Sequence, residues 1–492
     1  MSVDPLDVPG LVIRGEVVAG DEPPYRVVDP GRPTEVVTHA PAASAAQVDA
    51  AVAAATAAGP GWSGLSLEER IAWVVAAAEV AVQPEEVELL ARPLTRENGK
   101  VLAEAEFEVA TVSAIAETFA GLAREALMPV QLPDGGRVTF HPHGVVAALL
   151  PFNWPLSVCM TKIAPALMAG NTVVVKPPPT CPAVVLYVAR QMAEVLPPGV
   201  LNTVSGPGTD VAEALVTQPG VAMTTLTGGG QAGRAILRAS ADRLAPALLE
   251  LGGNDAGIVA PDVEPTEDVA ADLFDAAMAS SGQVCTALKR LYVPARHLDQ
   301  WVEALAVCAA ATVTGHGLNP DVTHGPVHTA AAEARAATLL AEAMRSGATV
   351  VQPGGLHTGP SEVGGHYVRP AVVARPDPTS ALVTDEQFAP LLPVLGYRAI
   401  GDAVTAANST RFGLGASVWT ADGELASAVA EQLRAGTVYR NAHGPGGLDP
   451  RLPFGGWGES GLGVEFGVDG VRAYTRPRSR PRPRPLPGPA SR

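Results

Sequence analysis

Apolar positions recur every three or four residues from about Ser44 to Phe119, as in LEERIAWVVAAAEVA, which predicts a run of helices. The pattern changes at GRVTFHPHGVVAALLPFNWP. There Val138 and Phe140 alternate with polar residues and VVAALL follows as an unbroken apolar run, so strands are expected. Strand and helix patterns then alternate. NTVVVKPPP reads as a short buried strand ending in proline, CPAVVLYVARQMAEVL as a helix and GVLNTVSGP as a strand. TDVAEALVTQ reads as a helix, VAMTTLTGGG as a strand and QAGRAILRASA as a helix. Elements alternating at these lengths imply a parallel sheet with right-handed crossovers. A second α/β set runs from about Leu249 to Arg440. The final RPRSRPRPRPLPGPASR is expected to form neither helix nor sheet, because proline removes donors and fixes φ. A solvated tail is the plainer reading of it, a polyproline II ligand the alternative.

The chain has 492 residues, more than one hydrophobic core serves, so two or three domains are expected. Its 47% hydrophobic and 17% charged residues are enough to bury sizeable cores. A net charge of −16 repels phosphate backbones, which argues against a nucleic-acid partner. The N-terminal MSVDPLDVPGLVIRG carries no signal-peptide pattern, and no apolar run is long enough for a membrane span. Cys159, Cys181, Cys285 and Cys308 have no metal-site spacing, so free thiols, no metal and a cytoplasmic location are expected. Lysine occurs only at Lys100, Lys162, Lys176 and Lys289, which makes each one worth locating.

Several motifs bear chemistry. LTGGGQAGR puts Gly228, Gly230 and Gly233 in GxGxxG spacing between a strand and a helix, a context that suits pyrophosphate at a helix N-terminus. The ordinary dinucleotide rule would make Glu250, about twenty residues on, a ribose ligand. Glu250 in ALLELGGNDAGIV also sits among apolar residues, where a raised pKa suits a general base, and a surface glutamate is the plain alternative. Asn153 in PFNWP falls where a strand end meets a helix start. Its amide can serve a developing oxyanion or simply cap a turn. Cys285 in SSGQVCTALKR has glycine shortly before it and a helix-forming segment after it. That setting suits a nucleophile, although a lone cysteine is more often inert.

PFNWP, KIAPALMAGNTVVVKP, TLTGGGQAG, ELGG, GQVC, DEQFAPLLPV, GTVYRN and PFGGWGESGLGVEFG occur in one order. That order and spacing resemble the aldehyde dehydrogenase superfamily from about residue 25 to 475. The resemblance implies an α/β fold with a Rossmann-type NAD(P)-binding domain over residues 1–122 and 145–249. It implies a catalytic domain over 250–440 and a small β arm over 123–144 and 465–480 that joins subunits. Residues 441–464 would return to the cofactor domain and the active-site rim, with 481–492 as the tail. By this resemblance Cys285 is the nucleophile, Glu250 the base, Asn153 the oxyanion donor and Lys162 a proton-relay lysine. The cofactor would meet Leu150, Pro151, Phe152, Lys176, Gly206, Thr227, Gly228, Gly229, Gly233, Leu251, Glu386 and Phe388. A homodimer or homotetramer is expected.

The chemistry so implied is oxidation of a small-molecule aldehyde to a carboxylic acid through a cysteine thiohemiacetal and thioester. Glu250 favours hydrolysis over transfer of the acyl group to coenzyme A, the first rival reading. A non-catalytic family member is the second. Pro179 replaces the glutamate common three residues after Lys176, so NADP is the alternative to NAD as cofactor. Gly229, Ser280, Gly458 and Val464 are further departures from the common pattern. ELGGNDA and NAHG resemble a branch near the lactaldehyde-type dehydrogenases. The aldehyde pocket would include Trp154, Val158, Thr161, Thr286, Leu448 and Phe454. It is mostly apolar and holds no arginine for a carboxylate, so a medium or bulky apolar aldehyde is expected.

Overall fold

The computed structural model describes residues 10–133, 135–357, 359 and 363–482. The start of the N-terminal segment and the tail from 483 therefore lie outside the described residues. The helical stretch resolves into Ala45–Gly64, Leu67–Ala81, Val87–Asn98 and Leu102–Ala126. Two of these start at capping boxes, Ser44 with Gln47 and Ser66 with Glu69, each satisfying helix donors that have no partner within the helix.

The strand–helix alternation folds into a six-stranded sheet. Its order is Gly461–Leu462, Ala247–Glu250, Val221–Thr227, Val145–Leu149, Thr172–Lys176 and Leu201–Thr203. All neighbours are parallel except the first pair. Both faces are covered, which is why these strands read as continuous apolar runs. Val146, Ala148, Val173 and Val175 face a core shared with several helices, among them Leu102–Ala126 and Pro155–Met168. Val145, Ala147, Leu149 and Val174 face the opposite core, shared with Ala45–Gly64 and Asp210–Thr217.

A second, seven-stranded sheet runs Thr349–Val351, Ala371–Ala374, Leu391–Tyr397, Leu288–Pro294, Asp255–Val259, Gly415–Trp419 and Thr437–Arg440. It is parallel but for the first pair. Leu251–Asn254 carries the chain from the last parallel strand of the first sheet into the second. Strand ends from both sheets therefore meet at this crossing.

A third sheet pairs Thr475–Arg480 with Arg137–Pro142 and that strand with Val130–Gln131. Here the structure corrects the expectation for the C-terminal segment, since Arg476–Arg480 lies in a strand. Pro477 is accommodated because this strand is an edge, bonded on one side only, so a missing donor need break no ladder. The helix expected after Cys285 is also absent. Leu288–Pro294 follows instead, a fully buried strand rich in branched and aromatic side chains.

Candidate active site

Leu149, Lys176, Thr227 and Glu250 are the last residues of four adjacent parallel strands, and the register aligns them along one edge. In open α/β sheets that edge is where ligands bind. A cavity of about 450 Å³ lies there, lined by Leu150, Pro151, Phe152, Asn153, Lys176, Thr227, Gly228, Gly229, Glu250, Leu251, Cys285, Glu386 and Phe388 of the expected residues. Pro178, Pro179 and Thr180 complete the side near Lys176. Gly206 and Gly233 do not line it. A side chain on Gly206 would meet Val211 at 2.5 Å, and one on Gly233 would meet Leu251 at 2.8 Å. Both glycines serve close packing behind the cavity.

The lining suits a dinucleotide. Gly229 caps the helix Gly230–Ala241, whose first amides are available to a phosphate. The Thr227 hydroxyl is buried without a partner. Lys176 donates to Pro177 O at 3.2 Å, and burial pulls its ammonium down to about 8. Glu386 accepts from Gly253 N–H at 2.9 Å, and a side chain on Gly252 would stand 2.3 Å from Glu386 Oε2. Phe388 meets Phe152 edge-on at 5.9 Å, and Phe152 stacks on His328 at 3.9 Å. Phe388 holds this place at φ 50°, a strained value for a phenylalanine.

Cys285 leaves a tight turn, Ala279–Gly282, in which Ser280, Ser281 and Gly282 all have positive φ. A side chain at Gly282 would lie 2.3 Å from Ala389 O, so only glycine fits. Burial raises the Cys285 thiol well above its ordinary value, with Glu250, Glu386 and Asp255 adding to the effect. Burial and then Glu465 push Glu250 up to about 8, while Lys162 and the Cys285 thiol oppose them. Glu250 Oε1 is buried without a hydrogen-bond partner. Asn153 sits between strand end and helix start as expected, its Nδ2 donating to Gln283 O at 2.8 Å. Lys162 is bound to Glu465 Oε1 at 2.5 Å and Thr225 Oγ1 at 3.1 Å.

The six expected substrate residues do not share one cavity. Leu448 and Phe454 line a separate space of about 470 Å³ with Leu452 and Tyr439. Trp154, Val158 and Thr161 lie at the start of Pro155–Met168, where Trp154 meets Phe107 edge-on at 6.2 Å. Thr286 directly follows the cysteine and is buried.

Sequence reading missed the braces behind these loops. Asn98 Nδ2 donates to Phe152 O at 3.3 Å and to Asn153 O at 3.4 Å. Glu108 accepts from Leu156 N–H and Ser157 N–H and pairs with Lys100 at 2.5 Å. Lys100 Nζ in turn lies 3.7 Å from the centre of the Trp154 ring. Glu104 accepts from Ser280 N–H at 2.7 Å. Lys289 donates to Gly282 O at 2.6 Å. The rarity of lysine was the available signal, since all four are buried beside this site or its supports.

A half-buried thiol and a buried carboxyl that line one cavity at the strand ends of the first parallel sheet define the candidate site of a cysteine-dependent oxidoreductase. The chain belongs to the aldehyde dehydrogenase family, whose model matches residues 17–479. It is an NAD(P)-dependent oxidoreductase of aldehydes. It is 36% identical over 451 residues to 3,6-anhydro-alpha-L-galactose dehydrogenase of Streptomyces coelicolor, covering 90% of each chain. Phenylacetaldehyde dehydrogenase of Pseudomonas fluorescens is 38% identical over 340 residues, 69% of this chain and 66% of that one. Aldehyde dehydrogenase C of Pseudomonas syringae, solved as a mutant with NAD+ and octanal, superposes with a TM-score of 0.90 at 33% identity. That match covers 97% of this chain and 98% of the other.

Proposed function

We propose that Cys285 is the nucleophile, Glu250 the base and Asn153 the oxyanion donor of a hydrolytic aldehyde dehydrogenase. The observation that carries this reading is the coupling of the Cys285 thiol to Glu250, both lining the 450 Å³ cavity. The buried thiol holds its proton until an acceptor is present, and Glu250 in its carboxylate form is that acceptor. The thiolate adds to the aldehyde carbon. Asn153 Nδ2 and the Cys285 N–H then hold the oxyanion. A bound nicotinamide would supply the hydride acceptor for that carbon, and Cys285 would then carry the thioester. Glu250 passes the thiol proton on through the Lys162–Glu465 pair and, a carboxylate again, draws a proton from water. The hydroxide displaces the thiolate, and the carboxylic acid departs. The Lys162–Glu465 pair, through its charges, tunes Glu250 and serves as the proton relay.

Lys176 and Glu386 would hold the two riboses, the helix Gly230–Ala241 the pyrophosphate and Phe388 the nicotinamide face. NAD is the leading cofactor, with NADP tolerated because Pro179 brings no carboxylate near Lys176. Trp154, Val158 and Thr161 around the start of one helix, and Leu448 and Phe454 in a separate space, would offer apolar surface to a medium or bulky apolar aldehyde. Among the described residues no helix is long and apolar enough to cross a membrane, and we read the chain as a cytoplasmic homodimer or homotetramer.

Single-turnover formation of NADH or NADPH across an aldehyde panel, with Cys285→Ala run beside the wild type, tests this reading. A burst that disappears in the variant is expected, with no requirement for coenzyme A. A burst that survives the substitution would overturn it.

A further inference from the structure

His328 has no part in the scheme above, yet it is buried where three of the scheme's loops meet. It stands directly before Thr329, the cap of the helix Ala330–Arg345, which packs on the seven-stranded sheet through Ala336, Leu339 and Ala343. From that half of the molecule its ring reaches loops of the other. Nε2 lies 2.6 Å from Thr180 Oγ1 and Nδ1 lies 3.3 Å from Asn98 O. The ring lies flat on Phe152, with centres 3.9 Å and planes 7° apart. Its backbone N–H donates to Gln283 Oε1 at 2.8 Å.

These partners assign the tautomer. A carbonyl only accepts, so Nδ1 carries the proton toward Asn98, and Nε2 accepts from the Thr180 hydroxyl. Burial pulls the imidazole down to about 4, so the ring is neutral at neutral pH and this pattern holds. Asn98 ends the helix Val87–Asn98, where carbonyls lack a partner within the helix, and His328 supplies one. Thr180 lines the cavity with Lys176, Pro178 and Pro179. Having given its proton to His328, its hydroxyl keeps only acceptor capacity for a bound group.

Each partner leads to a group the reaction uses. The Asn98 side chain donates to Phe152 O and Asn153 O, so Asn98 holds the backbone of this loop while His328 holds the Phe152 ring. Gln283 stands two residues before Cys285. Its side chain accepts from His328 and donates to Ser280 O at 3.2 Å, and its carbonyl accepts from Asn153 Nδ2 at 2.8 Å. An apolar side chain would fill the same space without the cost of burying an imidazole. What the imidazole adds is two directed hydrogen bonds and a flat face for Phe152.

We propose that His328 is a positioning residue of the reaction, with two separable arms. Through Nδ1 and the ring face it sets the Phe152–Asn153 loop against the turn that leads to Cys285. Through Nε2 it sets the Thr180 wall of the cofactor cavity. The proposal rests on Asn153 and Cys285 as the reacting pair. His328 does not itself line the cavity, so it acts on the chemistry only through these partners.

The experiment reads two quantities. One is the single-turnover burst of NADH with the panel aldehyde that gives the largest wild-type burst. The other is the Kd of NAD by calorimetry without aldehyde. His328→Leu keeps the bulk and removes both ring bonds. It should slow the burst about tenfold and weaken NAD binding about tenfold, the loss of about one hydrogen bond on each arm. Asparagine places an amide nitrogen near Nδ1, and glutamine an amide oxygen near Nε2. His328→Asn should therefore recover most of the burst rate but not the Kd, and His328→Gln the Kd but not the burst rate. Thr180→Val should weaken NAD binding as His328→Leu does, and the double variant should bind no more weakly than either alone. Thr180 is exposed, so this arm stays readable if a His328 variant fails to fold. Burst and Kd unchanged in His328→Leu would overturn the proposal. So would losses that follow the thermal midpoint in all three His328 variants with no crossed recovery, which would make His328 a packing residue only. A burst that persists in Cys285→Ala would instead overturn the reaction scheme, so the two failures are told apart.

Discussion

Glu250 decides the pH behaviour of the reaction. Its carboxyl is raised to about 8, chiefly by burial, so at neutral pH most of it is protonated and cannot accept a proton. The active carboxylate gains population as pH rises through about 8. Base-assisted hydrolysis of the thioester should therefore quicken from pH 6 to 9 with a midpoint near 8, read from the steady-state rate. Glu250→Gln should flatten that profile and lower the steady-state rate by about 10²- to 10⁴-fold, the usual contribution of a positioned base. Because Glu250 also takes the thiol proton, that variant should lose burst rate along with steady-state rate, both read from one single-turnover trace. A sharp midpoint near 8 that persists in Glu250→Gln would assign the titration to another group.

Elements showed through the sequence wherever local chemistry made them. The runs VVAALL and NTVVVK became Val145–Leu149 and Thr172–Lys176 because strands buried on both faces need no polar alternation. The segment after Cys285 defeated local reading, since LKRLYVP owes its strand state to neighbours on both sides in the second sheet. Cys285, Glu250 and Asn153 were legible by motif, but Glu104, Glu108 and Asn98 were not. The backbone groups they hold lie 48 to 176 residues away, so no spacing rule reveals them. One helix, Leu102–Ala126, thereby steadies both halves of the site, with Glu108 at the start of the Asn153 helix and Glu104 at the strained Ser280 turn. Glu104→Ala leaves the buried Ser280 amide without its acceptor, at about 1–3 kcal/mol. A lower thermal midpoint and a fall in kcat/KM of about tenfold are expected, the latter equal to about 1.4 kcal/mol of lost positioning. Glu104→Gln keeps an oxygen at that place and should recover most of both. Failure of the glutamine variant to recover either quantity would show that charge, not the acceptor, is what the turn needs.

At the scale of the whole molecule, the third sheet lacks a core of its own. Every residue of Arg137–Pro142 is half-buried, and the neighbouring Met128, Val130 and Leu132 are 61%, 41% and 49% exposed. Among the described residues, Val130–Gln131 is an edge bonded only to Arg137–Pro142, and Thr437–Arg440 is likewise an edge of the seven-stranded sheet. Open edges beside exposed apolar side chains invite pairing with another chain, and soluble proteins that keep them generally cover them in an oligomer. The exposed position of Val130 makes it a clean probe, because Val130→Asp disturbs no packing within the subunit. In an oligomer the same substitution would put an unpaired carboxylate into a desolvated contact. Light scattering after size exclusion should show the wild type as a dimer or tetramer and Val130→Asp, alone or with Leu132→Asp, shifted to the monomer. The shifted protein should keep the Cys285-dependent burst, because every residue in the proposed chemistry comes from one chain. A monomeric wild type would remove the reason for these exposed side chains. A variant that remains fully oligomeric would place the contact on another face of the molecule.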